Sequence, residues 1–153
     1  MKFEVLHQVY LGLGSNLGNK EENLRKAINL INEQVGTVVR QSALFYSQPW
    51  GYESENQFVN AVILVETSLS PHAVLSTNQR IEHLLGKTQA HATERMESDS
   101  VNHEVFVTYH DRPIDIDILL YDDLNINEPQ LKIPHPLMQD RDFVMIPLNE
   151  IRK

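Results

Sequence analysis

One segment carries both a strand pattern and a metal-site pattern: Arg112-Pro113-Ile114-Asp115-Ile116-Asp117-Ile118-Leu119-Leu120-Tyr121. Successive side chains of a strand point to opposite faces, so Asp115 and Asp117 are predicted to share one face and the isoleucines the other. Same-face neighbours lie about 7 Å apart along a strand, which lets two carboxylates hold one hard cation or a pair of Mg²⁺ ions. Taken alone, such a pair is more often the solvated face of an edge strand.

Length, composition and charge limit the class of protein. We expect residues 1–153 to form a single domain that buries a core of its own. The sequence contains no cysteine, which excludes disulfides and thiolate chemistry. It shows neither a signal-peptide pattern nor an apolar run long enough to cross a membrane, so we expect a cytoplasmic protein. The net charge of −8 argues against a nucleic-acid partner. We therefore expect a monomer that acts on small molecules, without nucleic acid or membrane.

The predicted elements follow the order β-α-β-β-α-β. Helices are predicted after the N-cap residues Asn19 and Ser70, with Gly36 and Gly86 as their ends. Strands are predicted at 8–13, 37–46, 58–67 and around the aspartate pair. This order is typical of an α+β fold, the ferredoxin-like sandwich, here with a C-terminal extension.

Two regions depart from regular patterns. Residues 87–107 are polar and without clear periodicity, so we predict a long irregular loop that acts as a lid, with a short strand at 105–109. The C-terminal extension is predicted as an extended segment at 131–136, a helical turn at 138–143 and a last strand at 144–151.

Several polar and small residues allow two interpretations each. Gly12-x-Gly14 joins a strand to a helix but lacks a full phosphate-binding fingerprint, so a packing turn is favoured. The loop around Trp50 either forms a pocket wall or folds back on the core. Asn60 either lies near a sheet edge or offers its amide to a bound heterocycle. Gln79 and Glu82 share one helix face, and they are either part of a site or simply polar residues of a solvent-exposed helix surface.

Taken together, five ordered segments resemble the 6-hydroxymethyl-7,8-dihydropterin pyrophosphokinases of folate biosynthesis. The resemblance extends from about residue 9 to residue 151, and the ordered set is far more specific than any one segment. The segments are Gly12-Leu13-Gly14-Ser15-Asn16-Leu17-Gly18, Pro49-Trp50-Gly51 followed by Phe58-Val59-Asn60-Ala61, Gln79-x-x-Glu82-x-x-x-Gly86, Arg112-x-x-Asp115-Ile116-Asp117-Ile118-Leu119, and Ile133-Pro134-His135-Pro136 followed by Arg141-x-Phe143.

The resemblance implies pyrophosphoryl transfer from ATP to the pterin hydroxymethyl oxygen, with two Mg²⁺ ions on Asp115 and Asp117. Arg112 would clamp phosphate oxygens and stabilise the transition state. The remaining nucleotide contacts implied are Gln79, Glu82, Ile118, His135 and Arg141. The pterin contacts implied are Phe58 and Phe143 against the ring faces, Asn60 at the amide edge, and the Gln48, Pro49 and Trp50 loop.

The sequence departs from the family pattern after the second helix. Many members have an arginine directly after the helix-ending glycine, where this chain has Gly86-Lys87-Thr88-Gln89-Ala90. Lysine cannot reproduce the two parallel hydrogen bonds of a guanidinium. Lys87 is a catalytic candidate by position, with Arg95 or a loop histidine as possible substitutes.

Two other classes of function remain open on the residues alone. The less basic loop would also suit a non-catalytic module that binds pterin or nucleotide. An acidic pair on a ferredoxin-like sheet also occurs in other two-metal enzymes, such as nucleotidyl transferases and nucleases, although the acidic balance disfavours a nucleic-acid substrate.

Overall fold

The computed structural model describes residues 5–48, 57–87, 95–98, 105–108 and 111–152, with backbone only for 95–98 and 105–108. No helix within these ranges is long and apolar enough to span a membrane. The elements follow in this order: β1 (His7–Ser15), α1 (Lys20–Gln34), β2 (Thr37–Gln41), β3 (Phe45–Ser47), β4 (Phe58–Thr67), α2 (Pro71–Leu84), β5 (Arg95–Ser98), β6 (Val105–Thr108), β7 (Asp115–Tyr121), β8 (Ile126–Asn127), β9 (Lys132–Ile133), a 3₁₀ turn (Met138–Asp140) and α3 (Asp142–Ile151).

The main sheet is antiparallel and has the strand order β2-β4-β1-β7, with β3 paired to the beginning of β4. Counting only the four long strands in chain order gives 2-3-1-4, so the predicted ferredoxin-like arrangement is confirmed. β1 and β4 are the inner strands, and β7, which carries both aspartates, lies at the edge. The strand with the acids therefore has one neighbour in the sheet, and along its outer edge the backbone N–H of His135 donates to the carbonyl of Leu119 at 3.0 Å.

The two faces of the sheet are covered to different extents. α1 and α2 cover one face, where Leu11, Ile63 and Ile116 pack in the larger apolar core. On the opposite face α3 packs through Val144 and Leu148 over only part of the sheet. Among the described residues, α3 does not extend over the part of that face next to β7, and Asp115 and Asp117 project from this part.

Local signals in the sequence account for the helix ends. The side chain of Asn19 accepts a hydrogen bond from the backbone N–H of Glu22 at 3.2 Å, and that of Ser70 accepts one from Ala73 at 3.2 Å. Both are the N-caps that the sequence predicted. Gly86 follows α2 with φ of +102°, a conformation that favours glycine and ends the helix.

The prediction of a strand at 144–151 is wrong, because these residues belong to α3. Val144, Leu148 and Ile151 are spaced by four and three residues and are all buried, which is the pattern of an amphipathic helix. Pro147 lies inside this helix and obscured the pattern.

Two other predicted boundaries change. The strand predicted at 37–46 is two strands, β2 and β3, separated by a break at Ser42. The strand predicted at 105–109 is present as β6, and it pairs with β5, where an irregular loop was predicted. The hairpin side chains, including that of Arg95, and the rest of the predicted lid lie outside the described residues, so the lid itself stays a prediction.

Candidate active site

A cavity lies on the part of the sheet that α3 does not cover. Residues from β1, β4 and β7 form its floor, and residues at the start of α3 form one wall. Seven residues that the sequence predicted for the site line this cavity: Phe58, Asn60, Arg112, Asp115, Asp117, Arg141 and Phe143.

Two glycines of β1 make the floor of this cavity. Gly14 pairs with Asn60 of β4 on one side and with Asp115 of β7 on the other. Gly12 pairs in the same way with Asp117 of β7. Residues opposite one another in a sheet project from the same face, so the missing side chains leave space between the polar groups of β4 and β7, the two strands that flank β1.

Aromatic rings and arginines form the cavity walls. The guanidinium carbon of Arg112 lies 5.2 Å from the centre of the Phe58 ring, and that of Arg141 lies 5.6 Å from the centre of the Phe143 ring. Both distances are within the range of cation–π attraction. The walls therefore combine flat apolar surfaces with positive charge, which suits a flat heterocycle next to phosphate.

Asn60 presents an unsatisfied acceptor at the cavity. Its side chain is buried, and its Nδ2 donates to the backbone carbonyl of Leu13 at 3.4 Å. Its Oδ1 finds no hydrogen-bond partner in the described part of the chain. A buried polar atom gains stability from a hydrogen-bond partner, so a ligand N–H that bonded this oxygen would bind favourably.

The two aspartates differ in their surroundings. Oδ1 of Asp115 lies 2.8 Å from Nζ of Lys87, and its Oδ2 lies 3.7 Å from Nη1 of Arg112. Burial raises the pKa of Asp117 well above its usual range, and the charges of Asp115 and Glu82 raise it further. Asp115 is thus flanked by cations. For Asp117, burial and two neighbouring acids disfavour the ionised form.

Glu82 connects the end of α2 to β7. Its Oε2 accepts hydrogen bonds from the backbone N–H of Ile116 at 2.7 Å and from Nζ of Lys87 at 3.1 Å. Burial, followed by the charge of Asp115, raises the pKa of Glu82 to about 7. Glu82 is therefore a buried residue of the site and not part of a solvated helix face, whereas Gln79 is exposed.

The donor set at the aspartates suits a hard cation that brings other ligands with it. Within the described residues, no three His, Cys, Asp or Glu side chains form a group that could hold a metal ion. Mg²⁺ is commonly held by one or two carboxylates together with waters and substrate phosphates. The ammonium of Lys87 already lies against Asp115, which shows that a cation fits at this carboxylate.

Comparison with known proteins identifies the family. The family model described as 7,8-dihydro-6-hydroxymethylpterin-pyrophosphokinase matches residues 10–153. The chain belongs to this pyrophosphokinase family. It is 41% identical over 144 residues to the 2-amino-4-hydroxy-6-hydroxymethyldihydropteridine pyrophosphokinase of Porphyromonas gingivalis, covering 94% of this chain and 89% of the relative. The Bacillus subtilis protein of the same name is 38% identical over 143 residues, covering 93% and 76%.

Solved structures agree on the fold of the family. The chain superposes on wild-type Plasmodium falciparum HPPK-DHPS, crystallised with pterin and p-hydroxybenzoate, with a TM-score of 0.69 at 16% identity. The match covers 97% of this chain and 38% of that chain, so this pyrophosphokinase-family chain spans about two fifths of the longer protein.

Other residues that the family resemblance singled out lie along the outer edge of β7. Ile118 and His135 line a second groove, together with residues of the segment before the 3₁₀ turn. The imidazole of His135 accepts a hydrogen bond at Nδ1 from the backbone N–H of Leu137 at 3.2 Å. Asp117 lines both this groove and the first cavity. The two spaces therefore meet at one carboxylate.

Not every residue implied by the family lines these spaces. Gln48 is exposed at the end of β3 and lines neither of them, and Gln79 is exposed on α2. Pro49 and Trp50 lie outside the described residues. Lys87 reaches Asp115 and Glu82, as described above.

Sequence reasoning missed two contributions to the site. Gly12 and Gly14 were assigned to a packing turn, but both lie within β1 and form the cavity floor. Asn16 was given no role, although its Oδ1 accepts a hydrogen bond from the backbone N–H of Arg112 at 2.7 Å. The sequence signal for the glycine floor was the spacing of Gly12 and Gly14, two residues apart as on one face of a strand. The role of Asn16 depends on a contact between distant segments of the chain, which no local pattern indicates.

Proposed function

We propose that the chain transfers a pyrophosphoryl group from ATP to the hydroxymethyl oxygen of 6-hydroxymethyl-7,8-dihydropterin, giving AMP and the pterin pyrophosphate. The observation that carries this proposal is that two adjoining spaces meet at Asp117. One space has aromatic and amide walls that suit a pterin. The other runs along the outer edge of β7 and suits a nucleotide whose phosphates reach the aspartates. Family membership supports the same reaction.

For the pterin, we assign Phe58 and Phe143 to the ring faces and Asn60 to the amide edge. The two rings and the amide line one cavity, and Oδ1 of Asn60 supplies an acceptor that the described protein leaves unused. Stacking contributes buried area, and the amide contributes specificity because it pairs with a donor at one edge of the ring. The proposed contacts from Gln48, Pro49 and Trp50 rest on the family resemblance alone.

We assign Asp115 and Asp117 to two Mg²⁺ ions. When bound, these ions would neutralise the triphosphate and orient the attacking oxygen for an in-line displacement at phosphorus. The support is a pair of carboxylates on one strand face, at the meeting point of the two spaces. ATP would supply the further oxygen ligands that the described residues lack.

For the triphosphate and nucleotide, we assign Arg112, Arg141 and His135, with Gln79, Glu82 and Ile118 as further nucleotide contacts. Arg112 is buried, and its backbone is held by Asn16, so its guanidinium is fixed next to Asp115 before substrate arrives. A fixed cation of this kind stabilises charge that develops on phosphate oxygens without moving during the reaction.

We propose that residues 1–153 act as one pyrophosphokinase domain and as a monomer. The assigned side chains come from a single chain, so the site needs no second copy. We place the reaction in the cytoplasm, where ATP and Mg²⁺ are both available.

The test is release of AMP. Purified protein with Mg²⁺, ATP and 6-hydroxymethyl-7,8-dihydropterin should form AMP and pterin pyrophosphate in equal amounts, and omission of Mg²⁺ should stop both. Asp117→Asn should also stop both, whereas Asp123→Asn makes the same chemical change in an exposed turn and should keep the rate. Binding of pterin and an ATP analogue by calorimetry without any AMP would instead identify a binding module.

A further inference from the structure

Lys87 holds the position at Asp115 that a divalent cation would need. We propose that its ammonium is a tethered counter-ion, so that binding of a divalent cation at Asp115 and release of Lys87 from Asp115 are one event. This inference rests on the proposed role of Asp115 as a metal ligand. The position of Lys87 in the family pattern implies a phosphate clamp. The counter-ion role proposed for Lys87 is a different one.

The contacts of Asp115 carry the first step. Nζ of Lys87 lies 2.8 Å from Oδ1, and Nη1 of Arg112 lies 3.7 Å from Oδ2, so a cation flanks each oxygen. A magnesium ion binds carboxylate oxygen at about 2.0–2.1 Å. It would then stand within a few ångströms of a positive side chain at either oxygen, and the repulsion at that range is strong in a buried site. One of the two side chains must move away.

Lys87 is the side chain that can move. The Arg112 guanidinium lies over the Phe58 ring, and its backbone N–H is bonded to Asn16, so both of its ends are held. Lys87 has a flexible four-carbon stem and directly follows Gly86, whose φ of +102° marks the end of α2. Among the described contacts, moving Lys87 away from Asp115 breaks one ion pair, whereas moving Arg112 would also break its contact with the Phe58 ring.

Glu82 remains an ion-pair partner for the ammonium of Lys87 after it leaves Asp115. Nζ of Lys87 is 3.1 Å from Oε2 of Glu82, and the backbone N–H of Lys87 donates to the carbonyl of Glu82 at 3.0 Å. The ammonium can lose Asp115 and keep Glu82 with a small rotation, because its three donors are not fixed in a plane. A planar guanidinium in two-point contact with a carboxylate would be held more firmly. A lysine is thus the better side chain for a counter-ion that has to leave.

The test measures Mn²⁺ binding to metal-free protein without nucleotide, by the electron paramagnetic resonance signal of free Mn²⁺. Removing the competing charge in Lys87→Met should tighten Mn²⁺ binding by about tenfold, and Lys87→Arg should not tighten it. Lys26→Met removes the same charge from an exposed position on α1 and should leave the affinity unchanged. Unchanged or weaker Mn²⁺ binding in Lys87→Met would overturn the inference.

Thermal unfolding gives a second readout. In chelator, Lys87→Met should melt below the wild type because two buried carboxylates lose their counter-ion, and Mn²⁺ should raise its Tm more than that of the wild type. Lys87→Gln serves the same purpose if the methionine variant does not fold. An equal rise of Tm with Mn²⁺ in the wild type and the neutral variant would contradict the proposal.

Asp115→Asn separates this inference from the proposed function. Loss of Mn²⁺ binding in Asp115→Asn, together with unaltered binding in Lys87→Met, would overturn the role of Lys87 and leave the metal site in place. Mn²⁺ binding that is indifferent to Asp115→Asn would overturn both.

Discussion

The backbone of Gly14 lies directly against the side-chain amide of Asn60: a Cβ placed on Gly14 would stand 2.6 Å from Nδ2 of Asn60. That separation is far below an ordinary contact between such atoms. A side chain at position 14 would therefore shift the amide next to it, and the amide is the group that we assign to the edge of the pterin.

Gly14→Ala should weaken pterin binding by about tenfold or more, because the new methyl group displaces the Asn60 amide. Gly12→Ala also adds a methyl group to the cavity floor, but its Cβ would meet Cδ2 of Leu119 at 3.3 Å and leave the Asn60 amide in place, so its loss of pterin affinity should be smaller. Calorimetry with pterin should separate the two variants. Equal affinities for pterin would show that the amide does not read the ring.

Asp115→Asn and Asp117→Asn should both lower turnover by at least about a thousandfold, yet change the stability of the metal-free protein in opposite directions. Asp115 is flanked by Lys87 and Arg112, so its neutralisation leaves cations without their counter-charge and lowers the Tm. Burial disfavours the charged form of Asp117, so the amide removes a cost and raises the Tm at pH 8. Melting curves in chelator measure both effects. A shift of the same sign in both variants would contradict the electrostatic picture of the two acids.

Metal-free protein should lose stability as the pH rises from about 4.5 to 7. The pKa of Glu82 is raised from 4.5 to about 7 in the folded chain, so in this window the folded state binds more protons than the unfolded state. Stability then falls with increasing pH and levels off above the folded pKa. Urea unfolding at several pH values should show a smaller fall for Glu82→Gln. The exposed Glu33→Gln should keep the wild-type slope.

Asn78→Leu should stabilise the protein by about 1 kcal/mol or more. Asn78 is fully buried in α2, and neither atom of its amide has a hydrogen-bond partner among the described residues. Leucine has a similar volume and needs no partner. Asn78→Ala removes the same amide but leaves a cavity, so it should be less stable than the leucine variant. Urea midpoints give the comparison, and a leucine variant less stable than wild type would show that the amide is satisfied in solution.

Local patterns predicted much of the fold. The alternation in β7 placed Ile114, Ile116 and Ile118 in the core and both aspartates on the cavity face, as the structure shows. The caps at Asn19 and Ser70 were also predicted correctly, because capping depends on residues within one turn.

The errors arose where distant packing or an unusual residue decides the outcome. In α3, Pro147 obscured a helical spacing of buried residues. The roles of Gly12 and Gly14 depend on which strands flank β1, and this follows from the sheet order and not from the glycines themselves. The contact between Lys87 and Asp115 joins residues 28 positions apart through the end of α2, so no local pattern could indicate it.

The partial cover that α3 gives its face of the sheet has a consequence for ligand recognition. The helix α3 begins at Asp142, and the preceding residue, Arg141, lines the cavity. An additional helical turn before Asp142 would therefore occupy space that a ligand needs. The floor of the recess is formed by hydrogen-bonded strands of the main sheet, β1, β4 and β7. Binding of a ligand then requires no loss of conformational entropy in the cavity floor, because folding has already ordered it. The shape of the ligand that fits is therefore set by the fold of the sheet.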